Sequence, residues 1–236
     1  MKANSVRVTV FMTVLLPSLA TAALSCSAGI KGGINFFAFY GKDAQIAAAA
    51  ASDRIDNCAS LFACIQVCPL ASVQAELAYV KKGQHYNLLY DAIAYQDSFY
   101  TTHNRLTEFY KFDYIQVPLL LKVCPVAFHL FRLQIYAGPA INLLFSAKEV
   151  VSSNDTLAWI DNTPSTTSID CTGIGGATVE IPIGPGYALV DFRYDYGFIS
   201  TVRVTKRDLE VNPSAHPLDR RNNGIALMVG YAYTFK

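Results

Sequence analysis

From Ile225 to Phe235 every second residue is large and apolar: Ile225, Leu227, Val229, Tyr231, Tyr233 and Phe235. Between them lie Ala226, Met228, Gly230, Ala232 and Thr234, which are mostly small. A period of two places these sets on opposite faces of a β-strand. The segment 188–198 repeats the pattern, with Ala188, Val190, Phe192, Tyr194, Tyr196 and Phe198 on one face and Asp191, Arg193 and Asp195 on the other. A soluble sandwich would bury the apolar face and hydrate the charges. A membrane barrel turns the apolar face to lipid and encloses the charges. A lipocalin-like soluble barrel with an apolar cavity is the competing solution. The strings of Tyr and Phe near segment ends instead fit aromatic girdles at a membrane interface.

Composition agrees with a membrane protein that lacks membrane helices. Hydrophobic residues make up 52% of the 236-residue chain and charged residues 16%, against about 25% charged in soluble domains. This excludes a disordered chain, and a formal charge of +1 excludes a nucleic-acid binder that relies on a basic surface. A spanning helix needs about 18 consecutive apolar residues, and only the N-terminus approaches that, interrupted by Pro17. Residues 1–22 read as a secretory signal peptide: Lys2 and Arg7 form a basic start, Val8 to Leu19 an apolar stretch, and Ala20-Thr21-Ala22 a cleavage site. A membrane-anchoring helix is the alternative. Ala23-Leu24-Ser25-Cys26 is a loose lipobox that would lipidate Cys26. Residues 23–236 then form a single exported domain.

About eight alternating segments follow, at 28–40, 57–67, 70–83, 107–123, 129–147, 171–183, 186–200 and 223–236. Connections alternate in length. Short turns are expected at Cys68-Pro69, Cys124-Pro125-Val126 and Gly184-Pro185-Gly186, and long polar loops around 84–106, 152–168 and 212–222. Long and short in alternation predict an all-β fold: an eight-stranded antiparallel up-and-down transmembrane β-barrel, with turns at one rim and loops at the other. An even strand count puts both termini at the turn side, which in an exported protein faces the periplasm.

Several segments resemble PorT-like outer-membrane β-barrel domains. Gly29-Ile30-Lys31-Gly32-Gly33-Ile34-Asn35 is similar to the family's opening strand, and Val73 to Gly83 to its second motif. Tyr114 to Lys122, Tyr136-Ala137-Gly138-Pro139 and Asp191 to Gly197 resemble three further strands, in order, over about residues 28–236. The resemblance implies an OmpA/OmpX-sized barrel in the outer membrane of a Gram-negative-type envelope, with links to secretion and envelope assembly and little about biochemical activity. The alanine run 47–51, the six cysteines and Lys236 after Phe235 depart from the family pattern. A terminal aromatic commonly signals assembly into the outer membrane, which points to Tyr231, Tyr233 and Phe235 as that signal.

If apolar faces meet lipid, the opposite faces build a polar lumen. Parity places Lys31, Asn35, Gln74, Glu76, Gln116, Lys122, Arg132, Gln134, Asn142, Glu180, Asp191, Arg193 and Asp195 inward. Acids and bases nearly balance there, as buried charges require. The set is either an ion pathway or a plug of salt bridges, and an eight-stranded interior is just wide enough for side chains to fill. That favours the plug and argues against an open pore.

No catalytic, cofactor or metal site is expected. His85, His103 and His216 fall in predicted loops and His129 beside a turn, none at metal-ligand spacing. Ser98, His103 and Arg105 could serve a lipid-modifying enzyme at the rim only as a forced set. Gly173-Ile174-Gly175-Gly176 has no following helix, so it reads as close packing or strand curvature rather than a phosphate loop. Six cysteines in an oxidising compartment allow 15 pairings, among them a periplasmic-rim pair from Cys26, Cys64, Cys68 and Cys124 and an outer Cys58–Cys171 pair; buried or lipid-facing free thiols are the alternative. The aromatic stretch 84–110 is either a recognition surface or an extension of the strands above the membrane. The expected function is a monomeric structural, envelope-assembly, secretion or surface-interaction barrel without an open pore. Its partners are outer-membrane lipid, the assembly machinery and, through the long loops, envelope or extracellular proteins. A narrow channel or a rim enzyme is the alternative.

Overall fold

The computed structural model describes residues 25–41, 51–92, 102–153, 156–161, 163, 166–201 and 220–235. The predicted leader and the 212–219 part of the last loop lie outside them. Nine strands are described: β1 (Ser25–Tyr40), β2 (Ala51–Cys68), β3 (Ala71–Ala92), β4 (Thr102–Ala127), β5 (Arg132–Ser153), β6 (Thr156–Asp161), β7 (Ile169–Ile183), β8 (Gly186–Gly197) and β9 (Arg221–Phe235). All pair antiparallel in the order β4-β3-β2-β1-β9-β8-β7-β5, and a β4–β5 pairing closes the ring. The result is an eight-stranded barrel, with β6 as a short extra strand on the loop-side end of β5. Closure satisfies the backbone of every spanning strand, which an open sheet could not do in lipid.

Alternation survives as inward and outward faces. In β9, Ile225, Leu227, Val229, Tyr231, Tyr233 and Phe235 are exposed on the outside, whereas Ala226, Met228 and Ala232 are buried. Cys26 pairs with Phe235, so the first and last strands meet at the turn-side rim.

Two connections differ from the sequence expectation. The stretch 84–106 is not one long loop but extends the strands, the second of the two readings of 84–110: β3 runs to Ala92 and β4 starts at Thr102, joined in continuous register from Gln84↔Tyr110 to Ala92↔Thr102. Cys124-Pro125-Val126 is not a turn. The strand continues to Ala127 with one extra residue between Val123 and Val126, where Pro125 has no N–H for the ladder. The turn falls at 128–131, closed by Phe128 N–H donating to the Phe131 carbonyl at 2.8 Å, so β5 begins at Arg132 rather than 129. Gly184 does make the expected tight turn, at φ +60°.

Strand length is unequal around the ring. β8 has 12 residues, close to the 9–11 that cross a bilayer. β3, β4 and β5 have 22, 26 and 22. One wall of the barrel therefore rises well above the other at the loop side, and β6 widens it.

Candidate functional site: the barrel lumen

The inward faces form three stacked layers. In the middle layer Lys31 on β1, Glu76 on β3, and Asp191 and Arg193 on β8 make a neutral quartet of two cations and two anions. Lys31 Nζ donates to Glu76 Oε1 at 2.9 Å and to Asp191 Oδ2 at 2.5 Å. Arg193 Nη2 lies 2.7 and 2.9 Å from the two oxygens of Glu76 and 3.6 Å from Asp191 Oδ2. Neutral neighbours complete the coordination. Tyr136 OH donates to Asp191 Oδ1 at 2.6 Å, Thr178 to the same oxygen at 3.0 Å, and Ser60 to Glu76 Oε2 at 3.1 Å. Desolvated charges persist only when paired and further hydrogen-bonded in this way.

Toward the turns, Gln74 links the quartet to a second pair. Its amide donates to Glu76 Oε1 at 2.6 Å, and its carbonyl accepts from Lys122 Nζ at 3.0 Å. Lys122 also reaches Glu180 Oε1 at 3.3 Å, while Gln134 donates to Glu180 Oε2 at 2.7 Å. Arg132 is only half-buried. It lines a small cavity of about 70 Å³ at the turn-side mouth with Ser27, Cys64, Cys124 and Tyr187.

Toward the loops the chemistry becomes more aromatic. Gln116 donates to Asn142 Oδ1 and to Asp195 Oδ2, both at 2.8 Å. Lys82 donates to the same Asn142 oxygen at 3.2 Å and stands 5.2 Å from the ring centres of Phe37 and Tyr114. Asn142 in turn donates to Thr172 at 3.2 Å, and Asn35 to the Lys81 carbonyl at 2.8 Å. Above them Phe39, Phe112, Tyr114 and Ala147 form an apolar cluster inside the barrel.

Twelve of the thirteen residues assigned inward by parity are buried, Arg132 being the half-buried one. Sequence reasoning passed over Ser60, Lys82, Tyr136, Asp170, Thr172 and Thr178, which are also buried. Parity alone would have found Lys82, which sits on β3 in phase with Gln74 and Glu76. The same parity would have found Tyr136, which is in phase with Gln134.

All six cysteines are free. The Cys58–Cys171 pair is excluded by orientation: Cys58 packs inward beside Ala226 and Met228, whereas Cys171 lies between the inward Asp170 and Thr172 and so faces outward. Of the glycine cluster 173–176, Gly176 packs most closely. A Cβ there would overlap the Tyr136 hydroxyl and the Phe192 carbonyl. His129 is exposed in the 128–131 turn. The side chains of His85, His103 and Arg105, and all of Ser98 and His216, lie outside the described residues. Among the described residues no three His, Cys, Asp or Glu side chains come together as a metal site.

The profile of the outer membrane protein beta-barrel domain family matches residues 26–203. No curated protein matches the sequence. Among solved structures, the chain is similar to a major outer membrane protein from Thermus thermophilus, at 13% identity over 91% of this chain and 100% of that one, with a TM-score of 0.44. It is also similar to Neisserial surface protein A (11% identity, 91% and 100% covered, TM-score 0.43). A third is the outer membrane protein OprG from Pseudomonas aeruginosa (14% identity, 89% and 95% covered, TM-score 0.43).

Proposed function

Because the chain belongs to the outer membrane protein beta-barrel domain family and resides in the outer membrane of a Gram-negative-type envelope, we propose that it is a sealed, non-enzymatic barrel for structural and surface-interaction work. The observation that carries this reading is the Arg193–Glu76 contact across the lumen. An ion crossing the barrel would have to displace this cross-lumen contact and its hydrogen-bonded neighbours, then the aromatic cluster around Phe39 and Phe112. An eight-stranded interior leaves little room for a bypass. In this reading Lys31, Glu76, Gln116, Lys122, Gln134, Glu180, Asp191, Arg193 and Asp195 hold the walls together rather than conduct, and Arg132 closes the periplasmic mouth.

Surface contacts would fall to the raised wall of β3, β4, β5 and β6, since recognition concentrates on segments carried above a rigid scaffold. The motif resemblance to PorT-like barrels supports a partner in envelope assembly or secretion. Residues 1–22 act as the export signal. Tyr231, Tyr233 and Phe235, which share the outward face of the last strand, serve as the assembly signal for a monomeric barrel.

The test is planar-bilayer recording of the refolded protein. A flat baseline under applied voltage is expected, and discrete, reproducible conductance steps would overturn the sealed reading in favour of a channel.

A further inference from the structure

A hollow on the outside of the barrel is explained neither by closure nor by the lumen. It lies across β9, β1, β2, β3 and β4. Register sets Val229, Gly32, Ala59, Tyr79 and Ile115 in one row across these strands. The next row toward the periplasm carries Tyr231, Ile30, Leu61 and Leu77. Every position in the two rows is large except the neighbours Gly32 and Ala59, and the depression around them measures about 760 Å³.

Glycine at position 32 is not a backbone requirement. It has no positive φ, and a Cβ there would meet only the Cys58 carbonyl oxygen, at 3.5 Å. The adjacent Gly33 differs, since a Cβ there would overlap the Leu227 carbonyl. The missing side chain at Gly32 therefore opens space on the lipid side instead of relieving a clash.

The hollow has a polarity. Its walls are apolar, with Ile30, Leu61 and Val229 about three-fifths exposed at 62%, 58% and 61%. At its extracellular end Tyr79 OH donates to Asp113 Oδ1 at 2.9 Å, and Lys81 Nζ lies 5.8 Å from the Tyr79 ring centre. Lys81 and Asp113 are cross-strand neighbours on the same outward face. An apolar trough ending in a hydroxyl, an ammonium and a carboxylate has the shape of an amphiphile. It is continuous with the apolar belt that meets the bilayer.

We propose that this hollow holds one acyl chain of an outer-leaflet lipid, with the lipid's polar head against Tyr79, Lys81 and Asp113. The proposal is independent of whether the lumen conducts.

Two measurements on the full barrel test it: native mass spectrometry of protein extracted in mild detergent, and photocrosslinking in proteoliposomes containing a phospholipid with a diazirine in its acyl chain. One lipid per barrel should survive extraction, and crosslinks should concentrate at 30–34, 59–61 and 77–79. Gly32→Leu with Ala59→Leu fills the trough, so lipid retention should fall by about tenfold or more through lost methylene contacts. Ala137→Leu makes the same change on the outward face of β5 and should leave retention unchanged. Crosslinks spread evenly around the unaltered barrel would overturn the proposal, as would undiminished retention in the filled variant. A dimer that the filled variant converts to monomer would also overturn it, by naming a second copy as the occupant. If the filled variant does not fold, the crosslink map of the unaltered protein decides.

Discussion

Arg193 on β8 and Glu76 on β3 meet at 2.7 Å although three strands separate them in either direction around the barrel. The contact is therefore a strut across the diameter of the lumen. Both side chains are almost wholly buried, at 3% and 0% exposure. Its value depends on the pair remaining whole, because a single buried charge left behind keeps its desolvation penalty and loses its partner.

Glu76→Ala should cost about 3–5 kcal/mol, the usual result of orphaning a buried ion. Two cations, Arg193 and Lys31, lose a shared acceptor in that variant. Glu76→Met with Arg193→Met should recover much of the loss, since apolar replacement of a whole buried pair is often neutral. Urea unfolding in detergent micelles, followed by the gel shift between folded and boiled barrel, measures both. Equal stability of Glu76→Ala and the unaltered protein would show that the strut carries no load.

Gly176→Val should damage the barrel far more than Gly175→Ala. A Cβ at 176 falls on the Tyr136 hydroxyl and the Phe192 carbonyl, whereas at 175 the nearest atom is 3.9 Å away. Displacing Tyr136 also removes its hydrogen bond to Asp191. The expected readout is a lower yield of heat-modifiable barrel for Gly176→Val and an unchanged yield for Gly175→Ala.

Trp159 is the chain's single tryptophan, exposed on β6 with Lys111 Nζ 5.0 Å from its ring centre. If the long wall stands above the bilayer, aqueous acrylamide should quench its fluorescence strongly. Lipids brominated deep in the acyl chain should quench it weakly. The reverse order would place β6 in the membrane.

Thiol labelling should sort the cysteines by face. Cys26 is exposed at the rim, while Cys58, Cys64 and Cys68 are buried inside the barrel. A water-soluble maleimide should add rapidly to Cys26 in the folded protein and to the other three only after unfolding, read as mass increments. Rapid native labelling of Cys58 would mean that the lumen is open to water.

Phe235→Ala should lower the amount of folded barrel in the outer-membrane fraction while leaving in-vitro refolding nearly unchanged. Phe235 is exposed, and its ring packs on Tyr233 at 5.2 Å between centres. A parallel fall in refolding would assign it to stability rather than to recognition by the assembly machinery.

The sequence by itself determined the faces. Side-chain direction along a strand has a strictly local period of two, so the parity that puts Glu76 inside and Leu77 outside is written in adjacent residues. The same period exposed the strand number, the common rim of the start of β1 and the end of β9, and about half of the buried polar residues described. Local pattern could not reveal extent, because nothing in 84–92 or 102–110 distinguishes polar loop from strand until the two segments pair. Nor could it show that Pro125 makes a bulge rather than a turn, which depends on the register of β4 against β5. Tyr136 and Tyr114, which sequence reasoning left unplaced, lie inside the barrel, where Asp191 accepts from one and the Lys82 ammonium stands over the ring of the other. Which charges meet was likewise a tertiary outcome. Glu76 and Arg193 are 117 residues apart in the chain, and only closure of the ring turns two inward faces into opposite walls of one narrow space.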